Sequence, residues 1–260
     1  LHAILPYKYV DHTHADAVVT ITNTQNGAAR IREIYGDLVV VIPYVMPGFD
    51  LARLCAERFP AEVGPNTIGM VLMNHGIFSF GQTAKESYER MITLVGHAEE
   101  YLKRSKAWNI RWNPVESPKK NFCLDLARLR KDISCMAGFP VIMARHTDTQ
   151  SLAFAGRDDI STISQQGPAT PDHVIRTKRL PMLGRDVKAY AEAYREYFSV
   201  QEPLANERKT ILDAAPRLVL DAEFGMCAVG KTAKEAAVIA EIYTRTMEII
   251  VRATSLGGYR

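Results

Sequence analysis

The sequence contains two copies of one segment, separated by a constant offset of 149 residues. Residues 76–86 (GIFSFGQTAKE) align without a gap on residues 225–235 (GMCAVGKTAKE), and six of the eleven positions are identical. Each copy predicts a strand followed by a capping box, in which a threonine and the glutamate three residues later satisfy each other's backbone amides and begin a helix. We therefore expect an internal repeat in which each copy consists of a strand, a turn, a second strand and a helix.

The rest of the sequence alternates between short apolar runs and segments of helical periodicity. Strands are expected in residues 10–22, 37–45, 66–80, 140–144, 152–155 and 218–229, and the third and sixth of these ranges each hold two. Helices are expected at residues 50–59, 83–106, 124–136, 185–198 and 232–254. This alternation predicts an α/β protein.

Three histidines fall where a metal site could form. His12 and His14 stand one residue apart in the run 10–22 (VDHTHADAVVTIT), and side chains two residues apart on a strand share a face. His75 follows another apolar run, precedes a glycine and lies 61 residues after His14. Three neutral imidazoles with a fourth position left open are typical of catalytic zinc. The alternative is three unrelated histidines that face a core acceptor, face water or end a strand.

Residues 108–120 are rich in proline and charge and show no periodicity, which indicates a linker. We expect a metal-binding unit at residues 1–107 and a second repeat at 121–260. The second unit has no H-x-H pair, since its only histidines are His146 and His173, and Phe224 takes the place of His75. The second repeat is therefore predicted to be a degenerate scaffold without metal ligands.

Composition excludes several classes of protein. The net charge of +3 without a long basic run gives no support to nucleic-acid binding. No apolar run is long enough to span a membrane and no signal peptide begins the chain, so we expect a cytoplasmic protein. Because Leu1 is not a methionine, we expect an upstream segment to be missing. The cysteines lack C-x-x-C spacing and are expected to be buried apolar groups: Cys55, Cys123, Cys135 and Cys227.

Residues 225–232 also satisfy the P-loop expression G-x-x-x-x-G-K-T between a strand and a helix. The first repeat has the same glycines without the lysine, so the glycines have a reason in the fold. Only 28 residues follow Thr232, too few for a strand that carries the acidic magnesium partner. We predict that residues 226–229 form a strand and that no nucleotide binds there.

The sequence resembles the class II aldolase/adducin family at VDHTHADAVVTI and VLMNHGIFSFGQTAKES. It is most similar to the aldolase part of bifunctional rhamnulose-1-phosphate aldolase/short-chain dehydrogenase proteins, through PYVMPGFDLA, GPATPDHVIRTKR and the duplicated segment. The resemblance implies a class II aldolase-like α/β fold in α/β/α layers, with a mainly antiparallel central sheet flanked by helices. It also implies that His12, His14 and His75 bind Zn²⁺ or another divalent metal.

The implied activity is a zinc-dependent retro-aldol cleavage of a ketose 1-phosphate. By resemblance the substrate is a sugar phosphate such as rhamnulose 1-phosphate, the products are dihydroxyacetone phosphate and lactaldehyde, and the protein is a homo-oligomer. The family's catalytic glutamate and phosphate loop lie upstream of Leu1, so no catalytic residue is assigned. A dehydrogenase part would follow residue 260, and no NAD site is expected because no Rossmann fingerprint occurs.

Two other functions are compatible with parts of the pattern. Adducin-like proteins use the same fold as a non-enzymatic interaction module. Metal-dependent hydrolases also place H-x-H after an early strand, although their barrel needs eight strand–helix units. One further cluster, in PDHVIRTKR, either contacts a phosphate or a neighbouring subunit, or is a solvated loop: His173, Arg176, Lys178 and Arg179.

Overall fold

The computed structural model describes residues 4–115, 121–205 and 207–260, which form two units. The first unit runs up to Ile110 and also includes Gln166–Val174 and Arg245–Arg260, and the second comprises Arg111–Gln165 and Ile175–Thr244. Two short later segments thus belong to the first unit. The predicted division, with units at 1–107 and 121–260, assigns these segments to the second unit instead. The domain ranges and the linker 108–120 stay predictions, and residues 116–120 of that linker lie outside the described residues.

The structure contains short strands and helices of very different length. The strands are β1 (Tyr9–Thr13), β2 (Val39–Ile42), β3 (Gly69–Leu72), β4 (Gly76–Gly81), β5 (Ile142–His146), β6 (Met182–Leu183), β7 (Leu218–Asp221) and β8 (Gly225–Gly230). The helices are α1 (Asp16–Thr22), α2 (Gly27–Tyr35), α3 (Phe49–Glu62), α4 (Ala84–Arg104), α5 (Cys123–Ala137), α6 (Thr149–Ala155), α7 (Ile160–Ile163), α8 (Val174–Thr177), α9 (Val187–Gln201) and α10 (Ala233–Ser255). No helix in the described ranges is long and apolar enough to cross a bilayer.

Each unit contains one four-stranded sheet, and the two sheets have the same topology. The strand order is β1-β4-β3-β2 in the first unit and β5-β8-β7-β6 in the second. The β1–β4 and β3–β4 pairs are antiparallel and the β2–β3 pair is parallel. The second sheet repeats this pattern pair by pair. The predicted α/β class, with mainly antiparallel sheets flanked by helices and an internal repeat, is confirmed.

The hydrogen-bond register shows that the repeat extends to the edge strands. Tyr9 pairs with Gly81 in the first sheet, and Ile142 pairs with Gly230 in the second. Gly81 and Gly230 are the glycines that the sequence repeat aligns. Register therefore superposes β1 on β5, although these two strands share no sequence pattern.

Helices cover both faces of the first sheet. Strands β2, β3 and β4 are nearly continuous buried runs, as expected for a sheet covered on both faces, whereas β1 is partly exposed. One face carries Val39, Val71 and Ile77, which pack in one core cluster with residues of α1, α2 and α4. The other face packs against α3 through a second cluster: Val40, Ile42, Met70, Leu72, Phe78, Phe80, Leu51, Cys55 and Phe59. Within this unit the sheet lies between two layers of helices.

Two strand predictions are wrong. Residues 10–22 form a strand only to Thr13, and the β-branched stretch that follows is helix α1. Residues 152–155 lie in α6, whose N-cap Asp148 accepts a hydrogen bond from the Ser151 amide at 3.0 Å. Every residue of α1 after Asp16 is buried, so packing on all sides overrides the strand propensity of valine, threonine and isoleucine.

The cysteine prediction is half wrong. Cys55 and Cys227 are buried, whereas Cys123 and Cys135 are exposed. Both exposed thiols lie on α5, whose buried residues recur every fourth position: Leu129, Ile133 and Ala137. Cys135 falls on the opposite side of that helix, because two residues correspond to about 200° of rotation.

In both copies of the repeat the threonine caps the helix as the sequence predicts, whereas the glutamate carboxylate binds the amide of the residue before the threonine and not that of the threonine itself. Thr83 Oγ1 accepts a hydrogen bond from the Glu86 amide at 3.1 Å, and a Glu86 carboxylate oxygen accepts one from the Gln82 amide at 2.7 Å. The same two bonds link Thr232 and Glu235 to the start of α10. The threonine bond satisfies one of the amides that the first turn of a helix leaves without an intrahelical partner, and the glutamate bond fixes the chain just before the helix.

We expect the Thr83→Ala variant to lower the free energy of unfolding by about 1 kcal/mol, because alanine cannot accept the Glu86 amide. Urea denaturation measures the change. The matched control is Thr93→Ala, an exposed threonine within α4 whose hydroxyl bonds to the Glu89 carbonyl. This control should stay within about 0.5 kcal/mol of the wild type. Equal losses in the two variants would contradict a capping role for Thr83.

Candidate metal centre

His12, His14 and His75 lie together at one end of the first sheet. His12 is in β1, His14 follows the last residue of that strand, and His75 is in the turn between β3 and β4. Because β4 pairs antiparallel with both β1 and β3, the last residues of β1 and the turn between β3 and β4 lie at the same end of the strands. One ring nitrogen from each histidine lies within 4.8 Å of those of the other two.

Gly76 makes this approach possible. A Cβ atom at position 76 would lie 2.5 Å from the Thr13 carbonyl oxygen, 2.9 Å from His14 Cδ2 and 3.0 Å from His12 Cε1. The first two distances are shorter than real Cβ atoms show, and the third is tighter than nearly all real Cβ contacts. The glycine after His75 is therefore required by the close packing of both other histidines against this turn.

The His12 ring is held in a defined orientation. Its Nδ1 atom donates a hydrogen bond to the Ile77 carbonyl oxygen at 3.0 Å, and the ring stacks on Phe78 with centroids 4.1 Å apart. Because a carbonyl oxygen only accepts, the proton is on Nδ1 and the lone pair is on Nε2. Desolvation by burial lowers the pKa of His12 to about 4, so the imidazole is neutral at physiological pH.

His14 contacts His12 on one side and a carboxylate on the other. Its Nε2 atom lies 3.1 Å from His12 Nε2, and its Nδ1 atom lies 3.2 Å from Asp172 Oδ2. Asp172 belongs to a 3₁₀ turn (Pro171–His173) in a later segment of the first unit. Sequence analysis did not identify Asp172. It lies 97 residues after His75, and no local pattern connects the two.

His75 is the most buried of the three, with 8% of its surface exposed. Desolvation by burial lowers its pKa, which favours the neutral imidazole. Its Nε2 atom is 3.9 Å from Asp172 Oδ1, and its Nδ1 atom is buried and has no hydrogen-bond partner among the described residues. A buried polar atom without a hydrogen-bond partner destabilises the folded protein, so a histidine with only a structural role would normally have a partner for this nitrogen.

These three side chains fit a divalent metal ion. Two nitrogen atoms bound to one tetrahedral zinc at about 2.1 Å are about 3.4 Å apart, close to the 3.1 Å between the Nε2 atoms of His12 and His14. Neutral imidazoles are ligands that zinc and other first-row metals accept. The lowered pKa values of His12 and His75 keep the lone pairs of these two rings free at neutral pH. The site is a possible divalent-metal centre with three imidazole donors.

The second unit carries different groups at the equivalent place. Register aligns Arg145 with His12, and the sequence repeat aligns Phe224 with His75. Arg145 donates hydrogen bonds to the carbonyl oxygens of Glu223 and Phe224, both at 3.0 Å. The Arg185 guanidinium lies 3.7 Å from the centroid of the Phe224 ring. Cations and an aromatic ring thus occupy this position, and the described part of the second unit holds no cluster with metal-ligand spacing.

The residues of the predicted basic cluster are divided between the two units. His173 belongs to the first unit and the other three residues to the second. Lys178 is buried, its Nζ atom donates to the Asp213 carbonyl oxygen, and it lies 4.2 Å from the Tyr194 ring centroid. Desolvation lowers the pKa of Lys178 to about 8. The solvated-loop interpretation is wrong for Lys178, whereas Arg176 is exposed.

The P-loop pattern is not a phosphate loop. Its glycines bound strand β8, in which every residue is buried. Lys231, the lysine of the pattern, lies 4.5 Å from the centroid of the Phe139 ring. The prediction that residues 226–229 form a strand is confirmed.

A cavity of about 290 Å³ lies in the first unit, next to the turn that holds His75. Its lining includes Asn74 and Pro171, which directly precede His75 and Asp172. Asn74 has a left-handed backbone with φ of +56° and donates a side-chain hydrogen bond to Asn23 Oδ1 at 3.1 Å. The other lining residues are Asn23, Tyr44, Gln166, Gly167, Pro168 and Arg260. A non-glycine residue held in this conformation is often found at functional sites.

Two family models together match most of the chain. Residues 1–102 match the Class II Aldolase and Adducin N-terminal domain, and residues 123–260 match the second domain of class II aldolases. A curated relative from Bacillus subtilis (strain 168), described as the uncharacterized oxidoreductase YuxG, is 29% identical over 283 residues. That alignment covers 100% of this chain and 40% of the relative, so the chain spans less than half of the relative's length.

Two solved structures are similar to parts of this chain. One is the N-terminal class II aldolase domain of a conserved protein from Thermoplasma acidophilum, with 46% identity over 39% of this chain and 45% of that chain and a TM-score of 0.35. The other is an aldolase II superfamily protein from Pseudomonas syringae, with 20% identity over 47% of this chain and 52% of that chain and a TM-score of 0.32.

Proposed function

The chain belongs to the class II aldolase and adducin family, and from this premise we propose that it is a zinc-dependent lyase that cleaves a ketose 1-phosphate. His12, His14 and His75 are the proposed zinc ligands. The observation that carries the proposal is that one nitrogen from each of these three histidines lies within 4.8 Å of the others. Members of this family typically use a divalent metal, which agrees with the three imidazole donors.

Retro-aldol cleavage needs negative charge to be stabilised on the fragment that keeps the ketone. A divalent ion bound at the three histidines supplies this stabilisation as a Lewis acid. When the C3–C4 bond breaks, its electron pair moves toward the ketone, the C4 hydroxyl loses a proton, and C3 later gains one. Neither proton transfer is assigned to a residue of this chain.

The residues of this chain prepare the site before substrate binds. His12 and His75 are held neutral by burial, so they bind a cation without first losing a proton. The adjacent cavity is lined in part by polar side chains, among them Tyr44, Gln166 and Arg260, and groups of this kind suit the hydroxyl groups of a small sugar. We propose that the open chain of the substrate extends from the histidines into this cavity.

The identity of the substrate rests on resemblance. The similarity to the aldolase part of rhamnulose-1-phosphate aldolase/dehydrogenase proteins favours rhamnulose 1-phosphate, cleaved to dihydroxyacetone phosphate and lactaldehyde. We also propose that the chain is one part of such a bifunctional protein and that it acts as a homo-oligomer. The relative named as an oxidoreductase supports the bifunctional arrangement, because this chain accounts for only 40% of its length.

Chelation of the full-length parent protein tests the proposal. We expect cleavage of rhamnulose 1-phosphate, or of another ketose 1-phosphate in a panel, with release of dihydroxyacetone phosphate measured by a coupled assay. Removal of the metal with dipicolinate should reduce the rate by more than about 100-fold, since a Lewis acid contributes several kcal/mol. Addition of Zn²⁺ should restore the rate.

Two outcomes would contradict the proposal. Cleavage that survives complete removal of metal would exclude a metal-dependent lyase. A wild-type protein that binds no metal and cleaves no ketose 1-phosphate would favour the adducin-like interaction module. In that case the three histidines would have only a structural role.

A further inference from the structure

We propose that Asp172 is a positioning residue of the metal centre, which holds the His14 ring with Nε2 turned toward the ion. The carboxylate contacts His14 on the side opposite to His12, since Asp172 Oδ2 is 3.2 Å from His14 Nδ1. This inference rests on the proposed function, because it presumes that His14 is a metal ligand. It assigns a role to a residue that lies far from the histidines in the sequence.

The protonation state of His14 follows from its two neighbours. A neutral imidazole has one N–H, and an ionised carboxylate can only accept. Without an ion, His14 Nε2 donates a hydrogen bond to His12 Nε2 at 3.1 Å, because the His12 proton is on Nδ1. When an ion takes the lone pairs of both Nε2 atoms, the His14 proton must be on Nδ1, where Asp172 Oδ2 lies 3.2 Å away as an acceptor. His12 has the same tautomer, because its Nδ1 atom donates to the Ile77 carbonyl. Both members of the H-x-H pair thus present Nε2 to one point.

A histidine that binds a metal ion through Nε2 needs a hydrogen-bond acceptor at its other ring nitrogen, Nδ1. With the protons of both rings on Nδ1, two Nε2 lone pairs 3.1 Å apart repel each other unless a cation lies between them. An acceptor on the outer nitrogen keeps each ring in place and increases the basicity of the nitrogen that binds the ion. For His12 this acceptor is a backbone carbonyl and for His14 it is a carboxylate. The negative charge of Asp172 also balances part of the charge of a divalent ion bound by three neutral ligands.

The segment Gln166–Val174 is anchored to the rest of the first unit, so Asp172 is held in position. Asn23 Nδ2 donates to the Ala169 carbonyl oxygen at 2.9 Å, and the Tyr259 hydroxyl donates to the Gly167 carbonyl oxygen at 3.1 Å. Ala169 is fully buried. These contacts fix the backbone three residues before Asp172, and Asn23 also binds Asn74, the neighbour of His75.

Asp172 could instead be a fourth ligand of the ion, and the geometry favours the positioning role. The group whose ligand atoms all lie within 4.8 Å of one another consists of the three histidines without Asp172. Asp172 Oδ1 is 3.9 Å from His75 Nε2, which is beyond hydrogen-bond distance. A carboxylate behind His14 leaves the fourth coordination position open for substrate.

Metal affinity of the full-length protein tests this role directly. We expect Asp172→Asn to weaken Zn²⁺ binding by about 10- to 100-fold in a chelator competition, and Asp172→Ala to weaken it at least as much. Asp172→Glu should recover part of the affinity, since it restores the carboxylate. The matched control, Asp158→Asn, replaces an exposed carboxylate of the second unit and should bind Zn²⁺ like the wild type. The melting temperature without metal should be the same for all variants within a few degrees.

The outcomes separate this inference from the proposed function. If the wild type binds one Zn²⁺ and the Asn and Ala variants bind it within about threefold of the wild type, Asp172 does not position His14 and only this inference is overturned. A visible spectrum of the Co²⁺ form that shows one ligand fewer in Asp172→Ala would identify Asp172 as a direct ligand instead. A wild type that binds no metal would overturn the proposed function, and this inference with it.

Discussion

The His75→Ala variant should contain almost no metal after purification and dialysis, whereas the wild type should retain about one equivalent. Alanine removes one of three imidazole donors, and His12 and His14 alone leave two coordination positions to water. The loss of affinity should exceed the roughly 10- to 100-fold that follows from changing an outer partner of a ligand. Elemental analysis of the dialysed protein, together with chelator competition, measures this effect.

The matched control for this experiment is His97→Ala. His97 is exposed on α4 and belongs to no metal-binding cluster of the described chain, so its removal tests whether any histidine lost from the surface lowers the metal content. We expect full metal content in this control. Stoichiometric metal in His75→Ala, bound as tightly as in the wild type, would exclude His75 as a ligand.

Stability without metal provides a second test of His75. Its Nδ1 atom is buried and has no hydrogen-bond partner among the residues that the structure describes, so the wild type pays a desolvation cost in the metal-free state. Alanine removes that cost and leaves a small cavity in exchange. The two effects have opposite signs, and we expect little net change in the metal-free melting temperature. Addition of Zn²⁺ should then raise the melting temperature of the wild type but not of His75→Ala.

The parts of the fold that the sequence predicted correctly depend on local interactions. The threonine caps at Thr83 and Thr232 are determined by residues three positions apart, and both form as expected. The strand pairs around residues 74–76 and 222–224 follow from short apolar runs between turns. Helix α1 was missed because its β-branched residues are helical through packing on all sides, which no local pattern records.

The equivalence of the two units was only partly visible in the sequence. The ungapped alignment placed Phe224 at the position of His75, but it did not reach the position of His12. Register superposes His12 on Arg145 with an offset of 133 residues, because the second copy has 16 more residues between its first and last strands. An insertion of that length hides the relation between β1 and β5 from any ungapped comparison.

Asp172 shows the limit of sequence reasoning at the site. The three histidines could be predicted from their spacing and their residue type. The carboxylate comes from a later segment that the fold returns to the first unit, and its role depends on a 3.2 Å contact with His14. Only tertiary structure can bring together groups that are separated by 158 residues in the chain.

Replacement of Gly76 by alanine should damage both the fold and the metal centre. The added Cβ atom would lie 2.5 Å from the Thr13 carbonyl oxygen and within 3.0 Å of atoms of His12 and His14. Because backbone and both rings lie on that side, the strand or the rings must move. We expect a loss of about 1–3 kcal/mol in the free energy of unfolding, as for other overpacked cores. Metal affinity should fall as well, since the nitrogens of the H-x-H pair are displaced.

Two other glycine-to-alanine variants separate the loss of stability from the loss of metal affinity. One adds a clashing Cβ atom far from the histidines in the sequence, and the other adds a Cβ atom without a clash. Gly225→Ala places a Cβ atom 2.3 Å from the His146 carbonyl oxygen, the equivalent contact in the second unit, and also puts alanine in a left-handed backbone with φ of +74°, so it should destabilise the protein at least as much but keep its metal. Gly96→Ala lies in α4, where the added Cβ meets no atom within 4 Å, and should stabilise the helix by up to about 1 kcal/mol. If Gly76→Ala bound metal as tightly as Gly225→Ala, the approach of the histidines to this turn would be a requirement of folding alone. Loss of metal in Gly76→Ala only, at equal loss of stability, would instead show that this glycine is needed because the H-x-H pair binds its ion directly against the turn.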